Sequence, residues 1–531
     1  MKNNQYWINR SKSRMKKYHK DSNETVNIIT NAYDKAIQDI EEDIRKIFDK
    51  FSIDGNLSQE EARKLLNTKV SVKEIDNLRE QLYSIQDEDV KRKLLARINS
   101  NAYKARMTRL ENLKESVYIR SKQIADVEIQ ASTSQYINTI NNAYYRNMFD
   151  IQKGLEVGFD FSAMPSQAIE TILKNPWSGK QFSSRIWNNT DILSEQLTDI
   201  LTSGFMTGKS IDRMARELRD RVDIGKYVAT RLIRTETTYM ANAAEIESYK
   251  ESDIEEYMYI ATLDLRTSEE CRELDRQVFK VKDAKAGENL PPMHPNCRST
   301  TRAWFGPDTL KGIQRRARDP VTGKTYLIPA DMNYEQWYKE YVIDKYGEDP
   351  VKVMEKKIKN KASDKAQHSK YKEVLGKDIT KSFDKFQELK YNNSEEYRLV
   401  KLDYSRRNKL INNPELKLPN IDTATIDDRK FTEYLFDSKN KGGLTKGQLI
   451  TDKLGYSIDN YKEFKKEILE RGAIYPAKLK NEIEQGYRYE IRSFFYSKDG
   501  VPINIESGWL VNEDKTHMTS VYINEVKKNE D

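Results

Sequence analysis

The chain is poor in several residue types, and each shortage excludes something. Two cysteines in 531 residues rule out a disulfide framework. Only 21 glycines and 13 prolines argue against collagen-like, linker-like and all-turn architectures. No run approaches the ~18 consecutive apolar residues of a membrane span. The start MKNNQYWINRSKSRMKKYHK lacks the apolar segment of a secretory signal, so folding in a reducing cytosol is expected. Four histidines leave a small inventory for metal binding or proton transfer. A dominant charge is missing too. The 91 basic and 84 acidic residues give a net charge of +7, too small an excess on so long a chain to imply nucleic-acid binding by itself.

What is present is charge of both signs and aromatic anchors. Charged residues make up 33% of the chain, and 31 Tyr, 16 Phe and 6 Trp are too many large apolar groups for a disordered polymer. The length predicts three to four domains. The fold class expected is mainly α with α+β parts. It comprises a long helical N-terminal region, a small antiparallel sheet near residues 257–305 and a separate C-terminal α+β domain. The boundaries are 1–130 for the helical region with its basic start, 131–345 for a core, 346–419 for a Lys-rich linker or helical connector, and 420–531 for the last domain.

Residues Val26, Ile29, Tyr33, Ile37, Ile40, Ile44, Ile47 and Phe51 recur at steps of three or four, which predicts one buried helix face. The segment DKFSIDGNLSQEE has Gly55 where a calcium loop places its glycine. Its first ligand position, however, is Lys50, where a carboxylate is needed. An Asp-Gly turn leading into a helix capped by Ser58 and Glu61 is the better reading. From Tyr257 the period changes to alternation, giving a strand over YMYIATLD, another at QVFKV and a third after PPMHPNCRSTTRAW. In the last domain, FTEYLF, KGQLITDKLGY and YKEFKKEILERG read as helices. RYEIRSFFYS, VPINIESGWLV and MTSVYINEV read as strands, with Lys498-Asp499-Gly500 as a hairpin turn.

Three of the six cysteine and histidine side chains meet in one segment: Cys271, His294 and Cys297. Zinc favours such ligands, and the two-residue spacer between His294 and Cys297 is a knuckle spacing. A fourth protein ligand is missing, since Ser268 stands where a Cys-x-x-Cys pair would need cysteine; Asp264 or water is the candidate to complete a structural zinc site. The alternatives are a packed turn around buried thiols and a catalytic Cys–His pair.

The runs RLIRTETTYMANAAEIESY, ATLDLRTSEECRELDRQVF and PPMHPNCRSTTRAW resemble the phage Mu F-like head-morphogenesis family, the minor head proteins of tailed bacteriophages. The matching positions are Arg234, Thr235 and Glu236, then Asp264, Arg266 and Thr267, then Cys271, then Pro292, His294, Pro295, Cys297 and Arg298. The likeness extends over about residues 1–345, where YWINRSKSRMKK is similar to minor capsid proteins of phages infecting Gram-positive bacteria. Ser268 departs from the family pattern. The resemblance implies a virion component of the head interior or portal vertex, with the portal, scaffold and coat proteins as partners. It also allows passage out with the DNA. Arg10, Lys12, Arg14, Lys16 and Lys17 are then candidates for contact with packaged DNA through its phosphates.

The last domain resembles small phage- and toxin-associated domains grouped with barnase/EndoU/colicin/RelE-like ribonucleases. RNA cleavage without a metal needs a base, an acid and a cation at the phosphate. The candidates are His517, Lys446, Arg492 and Thr519. The pair Glu482 and Glu484 is reminiscent of ADP-ribosyltransferases, but no suitable Ser-Thr-Ser strand precedes it. Three functions follow: a minor head protein without catalysis in its main part, an effector whose C-terminal domain cleaves host RNA, and a DNA-binding ejection protein.

Overall fold

In a computed structural model, the chain is described over residues 4–51, 64, 66–100, 107–156, 158, 162–207, 209, 211–307, 314–437, 439–512 and 515–526. The calcium-loop candidate and its Ser58 cap lie almost wholly outside these. The chain divides into two compact units, residues 1–346 and 347–531. No described helix is long and apolar enough to cross a membrane.

The first unit is framed by four long helices: α1 (Asn4–Phe51), α4 (Arg109–Leu155), α6 (Phe182–Met206) and α7 (Ile211–Glu251). Shorter helices α2 (Val72–Leu82) and α3 (Glu88–Asn99) precede α4, and α5 (Ser166–Lys174) follows it. The stripe read from α1 is the packing face. Ile29, Tyr33, Ile37, Ile40 and Ile44 are buried, against Leu193, Leu197 and Leu201 of α6 and Met214, Leu218 and Val222 of α7. Capping boxes start α2, with Ser71 and Glu74, and α4, with Thr108 and Glu111, each satisfying two amide groups that the helix leaves open.

Helix α4 packs against α1, α2, α5, α6 and α7, so its polar side is buried along with its apolar side. Buried polar groups need partners, and neighbouring helices supply most of them. Arg120 reaches Asp39 at 2.6 Å and Asp43 at 3.0 Å, Lys122 reaches Asp191 at 2.5 Å, and Asp126 accepts the backbone amides of Gln86 and Asp87. Arg14 of α1 bonds Asp150 and Asn147 of α4 together with Glu245 of α7. Glu128 pairs with no cation among the described residues. Its carboxyl, 1% exposed, accepts the Tyr33 hydroxyl at 3.4 Å, and burial pushes its pKa up to about 8.

After α7 comes a strand-and-turn knot. Strands β1 (Glu256–Ile260), β2 (Val278–Lys280) and β3 (Thr300–Ala303) form an antiparallel sheet in the order β2-β1-β3, where the small sheet was expected. Helix α8 (Glu269–Leu274) lies between β1 and β2. A hairpin of β4 (Gln314–Arg318) and β5 (Thr325–Pro329) follows, then the short helix α9 (Tyr334–Trp337).

The second unit begins with helices α10 (Glu348–Lys359), α11 (Lys361–Leu375), α12 (Phe383–Asn392) and α13 (Ser394–Asn412). These occupy the stretch read from sequence as a connector. They share a buried network with the segment beyond residue 420: Arg407 bonds Asp378, Asp403 and Tyr475, and Arg471 bonds Asp378. Helices α14 (Lys441–Leu454) and α15 (Tyr461–Gly472) follow. The chain then forms a four-stranded antiparallel meander of β6 (Ala477–Ile483), β7 (Gly486–Tyr496), β8 (Pro502–Val511) and β9 (Thr516–Ile523). Three of these strands were expected, with the turn at Ser497–Val501. Strand β6 was not, because AKLKNEI is polar and mostly exposed. One sheet face, with Ile491, Phe495, Ile505, Trp509, Met518 and Val521, packs on Phe431, Ile450, Phe464 and Ile468.

The state of Glu128 is testable by linkage. Its pKa is raised in the folded protein, so between the unfolded value near 4.5 and about 8 the native state binds more protons than the unfolded one. Its contribution is therefore lost as pH rises through that window. Glu128→Gln, which keeps the shape without the titration, should flatten the fall of stability from pH 5 to pH 8, gaining at most about 4 kcal/mol at pH 8 relative to pH 5. Denaturant midpoints at the two pH values measure this; parallel pH curves for both proteins refute it.

Candidate functional site

The knot gathers the three residues picked from sequence spacing. Cys271 sits in α8, His294 and Cys297 in the turn before β3, and the ligand atoms all lie within 4.8 Å of one another. The thiol sulfurs are 3.7 Å apart; two sulfurs on one tetrahedral zinc at ~2.3 Å each would be ~3.8 Å apart. Nδ1 of His294 is engaged with the Pro295 carbonyl at 2.9 Å, which leaves Nε2 as the ring's metal-binding atom in that tautomer. Both thiols are buried and reduced. Contact with Cys297, then burial, pushes the Cys271 thiol up; contact with Cys271 pulls Cys297 down. Two thiols sharing a proton beside an imidazole are a donor set suited to a soft divalent ion. The residues present fit zinc with three protein ligands.

Helix α7 holds this turn through the motif Arg234-Thr235-Glu236 and the residues after it. The Thr238 hydroxyl donates to the Cys297 carbonyl at 2.8 Å, and the Thr235 hydroxyl accepts the Asn296 amide at 3.0 Å. Asn296 has φ +60°, a conformation that asparagine tolerates better than most residues. Glu236 accepts from the Trp177 indole at 3.0 Å and lies 3.5 Å from Arg185. Arg234 reaches Asn23 of α1 at 3.3 Å.

Asp264 does not join the cysteines. It accepts both terminal nitrogens of Arg298, at 2.7 and 2.8 Å, and the amide of Arg266. Burial opposes ionisation of Asp264, but Arg298 outweighs it and holds the carboxyl below its usual range. Thr267 bonds the Thr262 carbonyl and Asp264. Ser268 caps α8 by accepting the Cys271 amide. The Pro291–Pro292 peptide is cis, and Pro295 lends its carbonyl to His294.

The basic start forms part of helix α1. Arg14 is buried in the network already described, and Arg10 is partly exposed, 3.5 Å from Asp150. Lys12 is half-buried against the Arg316 carbonyl. Lys16 and Lys17 face solvent. Of the five DNA-contact candidates, Arg14 is thus an internal pairing residue.

On the C-terminal sheet the four catalytic candidates are spread over one face and its edge. A bulge in β9 makes Thr519 the extra residue between Met518, opposite Trp509, and Ser520, opposite Gly508. His517, opposite Leu510, and Thr519 are therefore not regular alternate neighbours. The row of Arg492, Glu506 and Tyr522 is continuous across β7, β8 and β9. Arg492 lies 2.9 Å from Glu490 and 3.4 Å from Glu506. Lys480 reaches Glu490 at 2.5 Å, and Tyr522 donates to Glu506. The Lys446 ammonium lies 5.5 Å from the centre of the Tyr522 ring. Sequence reasoning missed the two carboxylates; their alternation with apolar residues in RYEIRSFF and INIESGW was the available signal. Glu482 and Glu484 are exposed near the β6–β7 turn.

Comparison with known proteins gives four findings. Residues 195–302 match the Phage Mu protein F like protein family. Residues 417–525 match a domain of unknown function, DUF6883. The NAD(+)--arginine ADP-ribosyltransferase EFV of Enterococcus faecalis is 22% identical over 214 residues, 38% of this chain and 42% of that protein, so the chain spans less than half the length of this curated relative. No solved structure matches. The segment that matches the Phage Mu protein F like family thus carries α7, the cysteine–histidine cluster and most of β3.

Proposed function

We propose that the protein is a minor head protein of a tailed phage, acting in head assembly beside the portal, with residues 1–345 serving as a structural platform. The observation that carries this is the family match over residues 195–302. The fold is in keeping with it. The motif residues are spent on one another and on backbone groups, as in the Asp264–Arg298 pair and the Thr238–Cys297 bond, and not on lining a cleft. Zinc held by Cys271, His294 and Cys297 would act as a cross-link between α8 and the turn before β3. The portal, scaffold and coat proteins are the partners in this reading, and the virion is its location. Lys16 and Lys17 are the solvent-facing residues left for contact with packaged DNA if the protein leaves with the genome.

Two measurements test this. In the producing phage, the protein should sediment with mature heads and be captured with the portal ring. Absence from purified virions and from portal-containing assembly intermediates refutes the assignment. Protein purified without chelators should carry close to one zinc per chain by elemental analysis, and Cys297→Ser should reduce that at least about tenfold. A metal-free wild-type protein refutes the zinc centre and leaves the head reading standing.

A second reading concerns the C-terminal domain as a metal-independent ribonuclease. It is favoured by the charged row Arg492–Glu506–Tyr522 with Lys480 and Glu490 on the sheet face opposite the core. Arg492 and Lys446 supply cations for a phosphate there, and the carboxylates supply a base. ADP-ribosyl transfer, the activity in the relative's name, is less favoured, since Glu482 and Glu484 stand exposed at the end of a hairpin. The full chain should cut single-stranded RNA but leave the same sequence in DNA intact. Arg492→Ala should slow cleavage about 100-fold. Uncut RNA under all conditions from pH 5 to pH 9 rejects this reading.

A further inference from the structure

We infer that the strand knot holds a binding site for a phosphate-type oxyanion, formed by Lys12 of α1 with Arg276 and Arg315. This site is independent of the proposed function. Arg315 is fully buried. It binds Asp275 through both terminal nitrogens, at 2.7 and 3.0 Å, and the carbonyls of Ala261 and Met332. Its Nε has no acceptor. Arg276 is the next residue after Asp275, at the unusual φ of +75°, and its amide is fixed on the Tyr259 carbonyl at 2.9 Å. Both its terminal nitrogens are buried with no acceptor. Arg302, 1% exposed, lies opposite Met258 on β3 and 5.3 Å from the Trp304 ring centre. The Lys12 ammonium approaches the Arg316 carbonyl at 3.5 Å.

Among the described residues, Lys12 and Arg276 therefore share with Arg315 the field of one carboxylate, Asp275, which only Arg315 contacts. Both oxygens of Asp275 are already taken by Arg315, and one of them also accepts the Ala261 amide. Asp331 adds only a more distant charge. Burial, and then the neighbouring cations, push the pKa of Lys12 down to about 7, of Arg276 to about 10 and of Arg302 to about 9. Buried charges in proteins are normally paired. A guanidinium does not shed its proton at neutral pH, so it needs an acceptor. A tetrahedral oxyanion presents several acceptor oxygens from one centre and suits forked donors from different directions. Lys12 and Arg276 are only half-buried and Arg316 is exposed, so the cluster reaches the surface. Because Lys12 belongs to α1 and the two arginines to the knot, the anion would also fasten the first helix to the sheet.

The phosphate could come free from solution or from a nucleic-acid strand, and the test separates the two. Full-length protein is melted in phosphate-free buffer at pH 7. It is then melted with inorganic phosphate, or with a short single-stranded DNA, each at ionic strength matched with sodium chloride. Wild-type Tm should rise by roughly 2–4 °C at saturating phosphate. Arg276→Gln should match or exceed wild-type Tm without phosphate and lose the rise, because it removes buried donors that lack an acceptor. Lys12→Met, a second variant outside the knot, should also lose the rise. A rise with the DNA alone assigns the phosphate to a nucleic-acid backbone. No rise with either ligand overturns the inference. So does a rise that survives in both variants, or an Arg276→Gln Tm equally lowered with and without phosphate.

Discussion

The grip of helix α7 on the turn before β3 is the interaction on which the knot depends. Thr235 and Thr238 lie three residues apart on one helix face, and between them they satisfy the Asn296 amide and the Cys297 carbonyl. Left unpaired in the interior, each of these backbone groups would cost about 1–3 kcal/mol. With them paired, His294 and Cys297 are held against Cys271. A shift of α7 by one residue would turn both hydroxyls about 100° away and release the turn. The position of the thiol–imidazole group is therefore set by the register of a 41-residue helix, and that register is set in turn by α1, α4 and α6.

That register is fixed by polar contacts as much as by apolar packing. Apolar stripes such as Ile29–Ile44 of α1 tolerate sliding by a helical turn, since any leucine or isoleucine meets another. Arg14 between Asp150, Asn147 and Glu245 does not tolerate it. Neither does Arg120 between Asp39 and Asp43. Buried ion pairs add little net stability and can subtract from it, but removing one partner is costly, so each pair penalises every misaligned arrangement. Glu128 belongs to the same seam without a cation; its neutral form is the one the interior accepts at neutral pH.

Much of this was legible in the sequence where local patterns carry the information. The α1 stripe, the alternation from Tyr257, the Ser497–Val501 turn and the Cys271, His294 and Cys297 set all follow from spacing alone. What could not be read depends on partners far along the chain. Asp264 was offered as a ligand because it is a carboxylate near Cys271, whereas Arg298, 34 residues away, holds it. Arg14 looked like a surface charge because its acidic partners lie 136 and 231 residues on. Strand β6 carries no apolar alternation because it is an edge with both faces largely wet. The place of Thr519 relative to His517 depends on a bulge that inserts one residue and that no local pattern announces.

Two carboxylate–arginine forks on the knot show how differently the same chemistry can be balanced. Asp264 takes both nitrogens of Arg298, and the other nearby cation, Arg266, is exposed at 3.5 Å from the same carboxylate, where solvent screens its charge. Asp275 takes both nitrogens of Arg315 in the same way, but this pair is fully enclosed, with Lys12 and Arg276 in its field. The buried terminal nitrogens of Arg276 have no acceptor among the described residues. A fold that matches donors to acceptors at its Asp264 corner has no evident reason to leave two buried guanidinium nitrogens of one residue without acceptors at the other, unless the missing acceptor belongs to a different molecule. The excess of positive charge at Asp275 thus reads as an open valence of the knot, just as zinc on Cys271, His294 and Cys297 would leave one coordination position open.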